Sequence, residues 1–262
     1  MIKVLLNILV LIFSINSAFA HFLLLKPSRD IVENPHYRKI NIIAKFTHPM
    51  EGGPNMDFEI EKAGVVINGE EKPLRFKVKW IKALPDSNKY VRMYYTRYKI
   101  RKPGVYIFFV DPKPYWEPSE EKFIRQITKV YVEAFGMEDG WDKPIGLKAE
   151  IIPLTRPFGI WEGNTFRGRV FINGKPAANV DVEVEYLNPD PKHIKAPAEP
   201  FITQIVKTDK DGYFEYTIPW SGWWGFSVIG DGGHLKYKDH EGPVELDAVL
   251  WVKAYKKPEG VK

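Results

Sequence analysis

The 262-residue chain contains no cysteine. That excludes a thiolate metal site, a thiol nucleophile and a lipid anchor attached through cysteine. No apolar run is long enough to span a bilayer, which takes roughly 20 residues; the one near the start, residues 4–13, falls well short. Basic residues form no stripe either. The formal charge of +5 is spread over interspersed lysines and acids, so no nucleic-acid surface is expected. The nearest approach, RFKVKWIK at 75–82, alternates basic with apolar residues and reads as a strand with one face solvated. The sequence also lacks G-x-S-x-G, H-E-x-x-H and a phosphate-binding glycine loop, leaving a hydrolase without its chemistry. Long helices are disfavoured by 21 prolines, and the only helix candidate, SEEKFIRQI at 119–127, is short.

The first twenty residues carry an address. A basic Lys3, a short apolar centre, a polar stretch and Ala18-Phe19-Ala20 have the order of a secretory signal peptide with an A-x-A cleavage site. Cleavage after Ala20 makes His21 the first residue of the mature chain, which is expected in the periplasm. The mature chain is long enough to bury substantial cores without disulfides.

Period-two alternation dominates the mature chain. KINIIAKF (39–46), YVRMYYTRYKI (90–100), GVYIFFV (104–110) and ITKVYVEAF (127–135) have strand length and lie between turn residues. The expected fold is all-β, with two immunoglobulin-like β-sandwich domains after the signal peptide (1–20). Residues 21–152 form an N-terminal metal-binding domain and residues 153–256 a C-terminal sandwich. Asn173-Gly174 between alternating segments predicts a tight hairpin turn. With the later TDKDGYF (208–214), read as a second hairpin, the C-terminal part resembles the carboxypeptidase-regulatory or transthyretin-like class of small sandwiches. Asp209-Lys210-Asp211-Gly212 is read as a turn, because a calcium loop would carry glutamate at its twelfth position, where Trp220 stands.

The chemistry concentrates at the new N-terminus. An N-terminal histidine offers its α-amine and its imidazole Nδ1 to one metal. An α-amine with pKa near 7.8 gives up its proton at pH 7 for about 1 kcal/mol, against about 5 kcal/mol for a lysine. Among the other histidines, His48 in AKFTHPMEGGPNMDF stands at a strand end before a Gly/Pro loop that also carries Met50 and Met56. Imidazole with thioether suits nickel, cobalt or copper; the alternative is a turn histidine beside two core methionines. His234 and His240 belong to a loop that either reaches the first domain or is solvated, while His36 and His193 read as exposed loop residues. Tyr115, Trp116 and Glu117 either line a cleft and shield a metal or form a loop stapled by its own aromatics.

Segments in the order AHFLLLKPSRDIV, FTHPMEGGPNMDF, DPKPYWEPSEEKFIRQITKVYVEAFG, RPFGIWEGNTFRGRVFINGKPAANVDVEVEYLN and GPVELDAVLWVKAY span nearly the whole mature chain. They are similar to the periplasmic accessory proteins of bacterial nickel and cobalt uptake transporters. The resemblance implies a non-enzymatic component that captures or delivers nickel or cobalt, with His21 and the THP histidine His48 as ligands and a membrane transporter as partner. The start HFLLLKP, with Leu24 and Pro27 after His21, also resembles copper-resistance carriers of the CopC type, and lytic polysaccharide monooxygenases hold copper with an N-terminal histidine. The metal residues expected are therefore His21, His48, Met50, Met56 and His234, with nickel or cobalt as the ion. The alternatives are a copper carrier or oxidase, and a structural two-sandwich protein without metal.

Overall fold

A computed structural model describes residues 21–260; the signal segment expected at 1–20 lies outside the described residues. Among the described residues the secondary structure is β-strand apart from two single-turn 3-10 helices. The fold is an all-β sandwich.

Three sheets stack. The front sheet holds β1 (Phe22–Pro27), β3 (Lys39–Thr47), β4 (Asn55–Met56), β7 (Lys77–Lys82) and β8 (Tyr90–Lys99), in the order β1-β3-β8-β7 with β4 on β3. The back sheet comprises β12 (Ala149–Pro153), β14 (Thr165–Ile172), β15 (Lys175–Pro176) and β18 (Tyr213–Thr217). Between them lies a 12-stranded sheet. Its strands are β2 (Ile31–Val32), β5 (Ile60–Ile67), β6 (Glu70–Pro73), β9 (Gly104–Pro112), β10 (Tyr115–Glu117), β11 (Lys122–Ala134), β13 (Ile160–Trp161), β16 (Asp181–Tyr186), β17 (Gln204–Lys207), β19 (Gly222–Val228), β20 (Asp231–Tyr237) and β21 (His240–Tyr255). Its spine runs β17-β16-β19-β21-β11-β9-β5-β6.

The central sheet buries both faces, which explains its apolar sequence. In β9, Tyr106, Phe108 and Val110 enter the front core while Val105, Ile107 and Phe109 enter the back core. In β21, Val249 and Trp251 face front; Leu246, Ala248, Leu250 and Val252 face back. A strand covered on both faces reads as a continuous hydrophobic run, and each such side chain stabilises the fold by roughly 1.5–3 kcal/mol on burial. Parallel pairing of β11 with β21, from Phe123↔Val244 to Val130↔Trp251, joins the early and late parts of the chain in one sheet. The boundary expected at 152/153 falls within β12.

Three local expectations change. The helix candidate at 119–127 is a turn followed by the start of β11: Ile124 enters the front core and Ile127 the back core, so the apolar residues serve two faces of a strand. The TDKDGYF segment is a corner, because β17 pairs with β16 in the central sheet and β18 with β14 in the back sheet. Asp209 Oδ1 accepts the Asp211 and Tyr213 N–H groups at 2.9 Å each and shapes that corner. The 75–82 segment yields the edge strand β7, solvated on both faces, with Trp80 59% exposed. The Asn173-Gly174 turn is as expected: both φ angles are positive, 50° and 75°, and Ile172 pairs with Lys175.

Candidate metal centre

Register brings the two N-terminal candidates together. β1 pairs antiparallel with β3, and Phe22 faces Thr47, so His21 and His48 lie across from each other one step beyond the ladder's end. Their ring centroids are 4.4 Å apart at 61°, and the His21 ring also packs against Phe46 at 5.6 Å.

Both sides of the pair are anchored by residues far away in sequence. On the His21 side, Gln126 of β11 accepts the Leu23 N–H at 2.8 Å, donates to the His21 carbonyl and donates to Asp247 Oδ2 at 3.1 Å. The Trp251 indole donates to the Leu23 carbonyl at 3.1 Å. These bonds satisfy the edge of β1 that has no neighbouring strand, where an unmet buried amide would be costly. On the His48 side, the loop is closed by the Gly52 N–H to the His48 carbonyl at 3.0 Å. Gly52 has φ 77°, and a Cβ there would meet Pro191 Cγ at 2.4 Å, so glycine is required twice over. The loop then docks on the later part of the chain. The Met50 N–H donates to Glu185, and the Asn188 amide donates to the Met50 carbonyl at 2.9 Å.

Burial sets the charge state. His48 is 2% exposed; burial first, and then the His21 ring, push its pKa down to about 4. Burial also lowers His21, opposed in part by the negative charges of Glu117 and Glu120. Both imidazoles are neutral at pH 7, the form that binds a metal. Burial tends to raise Glu117, yet the Ser119 hydroxyl and N–H, together with His21, hold it below the usual carboxylate range. Glu51 Oε2 lies 4.0 Å from His48 Nδ1.

The other candidates are placed differently. Met50 is buried in the His48 loop; Met56, on β4 opposite Phe46, packs against the front core. His234 is exposed on β20 opposite Pro243, and among the described residues it takes no part in the ring contacts of His21. His36 and His193 are exposed, as expected, and His193 contacts Asp190 at 2.8 Å. β10 is an ordered aromatic strand: Tyr115 packs on Phe46 at 6.2 Å, and Trp116 stacks on His240 at 4.5 Å. Gln126, Glu185 and Asn188 were not singled out by sequence; polar residues within apolar strands are the trace they leave. Among the described residues no three His, Cys, Asp or Glu side chains gather at metal-ligand range. The pair itself supplies two neutral imidazoles.

A family model described as a domain of unknown function (DUF4198) matches residues 18–232. The chain belongs to the DUF4198 family. The match takes in both histidines of the pair and the Glu185–Asn188 platform beneath the His48 loop. No curated protein matches this DUF4198 chain. Among solved structures, the D0-D1 domain of intimin is 14% identical over 90% of this chain and 100% of its own, with TM-score 0.23. A two-domain fibronectin type-III segment of chicken tenascin is 10% identical over 90% and 100%, with TM-score 0.22. Red sea bream transglutaminase is 8% identical over 90% of this chain and 31% of its own, with TM-score 0.21. At such TM-scores these likenesses carry no weight for fold or function.

Proposed function

We propose that the mature protein is a periplasmic transition-metal-binding protein that captures or delivers nickel or cobalt for a membrane uptake transporter, without catalytic turnover. The observation that carries the reading is the contact of the His21 and His48 rings at the end of the β1–β3 ladder, with both imidazoles held neutral. Cleavage before His21 would add the α-amine as a third nitrogen beside its own imidazole, a donor set suited to nickel, cobalt or copper. Nickel or cobalt, and the transporter as partner, are favoured by the resemblance of the sequence segments to nickel and cobalt uptake components. Met50 lies buried two residues after His48 and Met56 packs in the front core, while His234 is on β20 opposite Pro243; the nitrogen donors of the pair carry the reading.

The test compares processed protein, beginning at His21, with a form carrying one extra residue before it. Calorimetric titration should show nickel or cobalt bound one to one by the processed form, and affinity lower by about a hundredfold or more in the extended form, which has an amide where the amine should be. Equal affinities would remove the reading. The all-nitrogen donor set supports copper as the second reading, because copper(II) outranks nickel in intrinsic affinity. Copper-loaded protein that reduces dioxygen to peroxide with electrons from an added reductant such as ascorbate, with the activity lost in His21→Ala, would replace a carrier by an oxidase.

A further inference from the structure

On β10, Glu117 acts electrostatically on His21, while its neighbours Tyr115 and Trp116 line a cavity of about 430 Å³. That volume is within the range of small-molecule sites. Phe58, Phe123 and Tyr237 contribute apolar wall. Trp116 is held firmly: His240 stacks on it at 4.5 Å and 6°, Phe123 meets it edge-on at 4.9 Å, and a Cβ at Gly242 would lie 3.0 Å from its ring. The indole is therefore already engaged, which disfavours the sugar-on-tryptophan stacking that a saccharide site uses.

The charged groups of the cavity are unevenly committed. Asp57 accepts from Arg92 Nε at 2.9 Å and Nη2 at 2.6 Å. Glu59 is paired with Arg92 at 3.0 Å and with Lys113 at 2.7 Å. Both acids are thus engaged by cations. Lys238 is exposed, lies 5.3 Å from the Tyr237 ring centroid and pairs with no acid among the described residues. The Trp116 indole N–H and the Tyr237 hydroxyl likewise form no hydrogen bond among the described residues. Arg92, Lys113 and Lys238 against Asp57 and Glu59 leave one positive charge in excess. What the site has to offer is an apolar wall, uncommitted donors and one unpaired ammonium.

We propose that this cavity binds a small organic carboxylate with an apolar body, its carboxylate held by Lys238 with the Trp116 N–H and Tyr237 hydroxyl, and its body against the partly exposed Tyr115 and Tyr237 rings. Charge-assisted hydrogen bonds of this kind are the strong ones, and the two acids of the lining are already paired with Arg92 and Lys113. The proposal stands independently of metal binding at the histidine pair.

Benzoate serves as the probe, titrated calorimetrically into processed full-length protein. The expected result is saturable one-to-one binding, weakened about tenfold or more by Lys238→Gln and by replacing benzoate with benzyl alcohol, and unchanged in His21→Ala. Lys238 is an exposed turn residue, so its variant should fold; Tyr237→Phe provides a second, milder loss. No saturable benzoate binding, equal affinity for benzyl alcohol, indifference to Lys238→Gln, or binding of glucose in its place would overturn the proposal. So would loss of benzoate binding in His21→Ala, which would locate the carboxylate at the histidine pair.

Discussion

The two cores treat buried polarity in opposite ways. In the back core, Lys129 is 1% exposed, and its ammonium meets Glu150 at 2.7 Å. Glu150 also accepts N–H groups from Ile145 at 2.9 Å and Gly146 at 3.1 Å, pinning the segment that leads into β12. On the front face of the central sheet and on β3 above it, Asp247 Oδ1, Ser227 Oγ, Thr128 Oγ1 and Thr47 Oγ1 are buried without a hydrogen bond among the described residues; the back core leaves only the Tyr131 hydroxyl so. An unmet buried polar atom costs about 1–3 kcal/mol. The back core uses polarity to lock structure, whereas the front tolerates that cost beside two neutral imidazoles, as functional sites tend to do. Asp247 is one hydrogen bond from the Gln126 that holds His21, and its pKa is raised by burial, then by Glu245 and Glu183.

This contrast is sharpest in stability. Glu150→Ala leaves Lys129 buried without its partner and should destabilise the protein by about 3–5 kcal/mol, read as a fall in the urea midpoint. A loss below about 1 kcal/mol would show that the back core is not locked by the pair. Gln126→Leu should act mainly on function. Freeing the His21 carbonyl and the Leu23 N–H should lower nickel affinity by about 10–100-fold, the range for residues that orient a ligand. Unchanged affinity would detach the front polar set from the pair.

The pH response should be the most gradual effect, spread over several pH units, and it has a definite sign. His48 has a folded pKa of about 4, below its ordinary value of 6.5. Above pH 6.5 it is neutral whether folded or unfolded and contributes no slope. Between 6.5 and about 4 the unfolded chain takes up a proton that the folded chain refuses, so stability falls as pH falls through that window. Glu185, raised to about 8 mainly by burial, acts on the other side: stability falls as pH rises from 4.5 to about 8. Each contributes at most about 1.4 kcal/mol per pH unit. Urea midpoints should show the acid-side fall flattened in His48→Gln and the alkaline-side fall flattened in Glu185→Gln; identical profiles would contradict the assigned burial.

Much of this architecture was legible in local pattern. Alternation located β3, β8 and β9, and Asn173-Gly174 located a turn, because both are properties of a few adjacent residues. Strand β11 was half hidden: buried on two faces, KFIRQI loses its alternation and imitates a short helix. The candidate site was legible at its two rings, since an A-x-A pattern just before His21 and a strand-end histidine at His48 both stand in the sequence. Its supports were not. Gln126 is 105 residues from His21, and Glu185 is 135 from Met50, so register and docking between distant strands decide what they touch. His234 shows the converse: a histidine in a glycine-rich stretch looks available, yet β20 pairing with β21 sets it opposite Pro243.

The central claim is that His21 and His48 jointly hold one metal ion. X-ray absorption at the nickel edge of processed, nickel-loaded protein tests it most directly. The account predicts a nitrogen-rich first shell containing two imidazole rings, falling to one ring in His48→Ala; a spectrum with no imidazole, or one unaltered by His48→Ala, would contradict it.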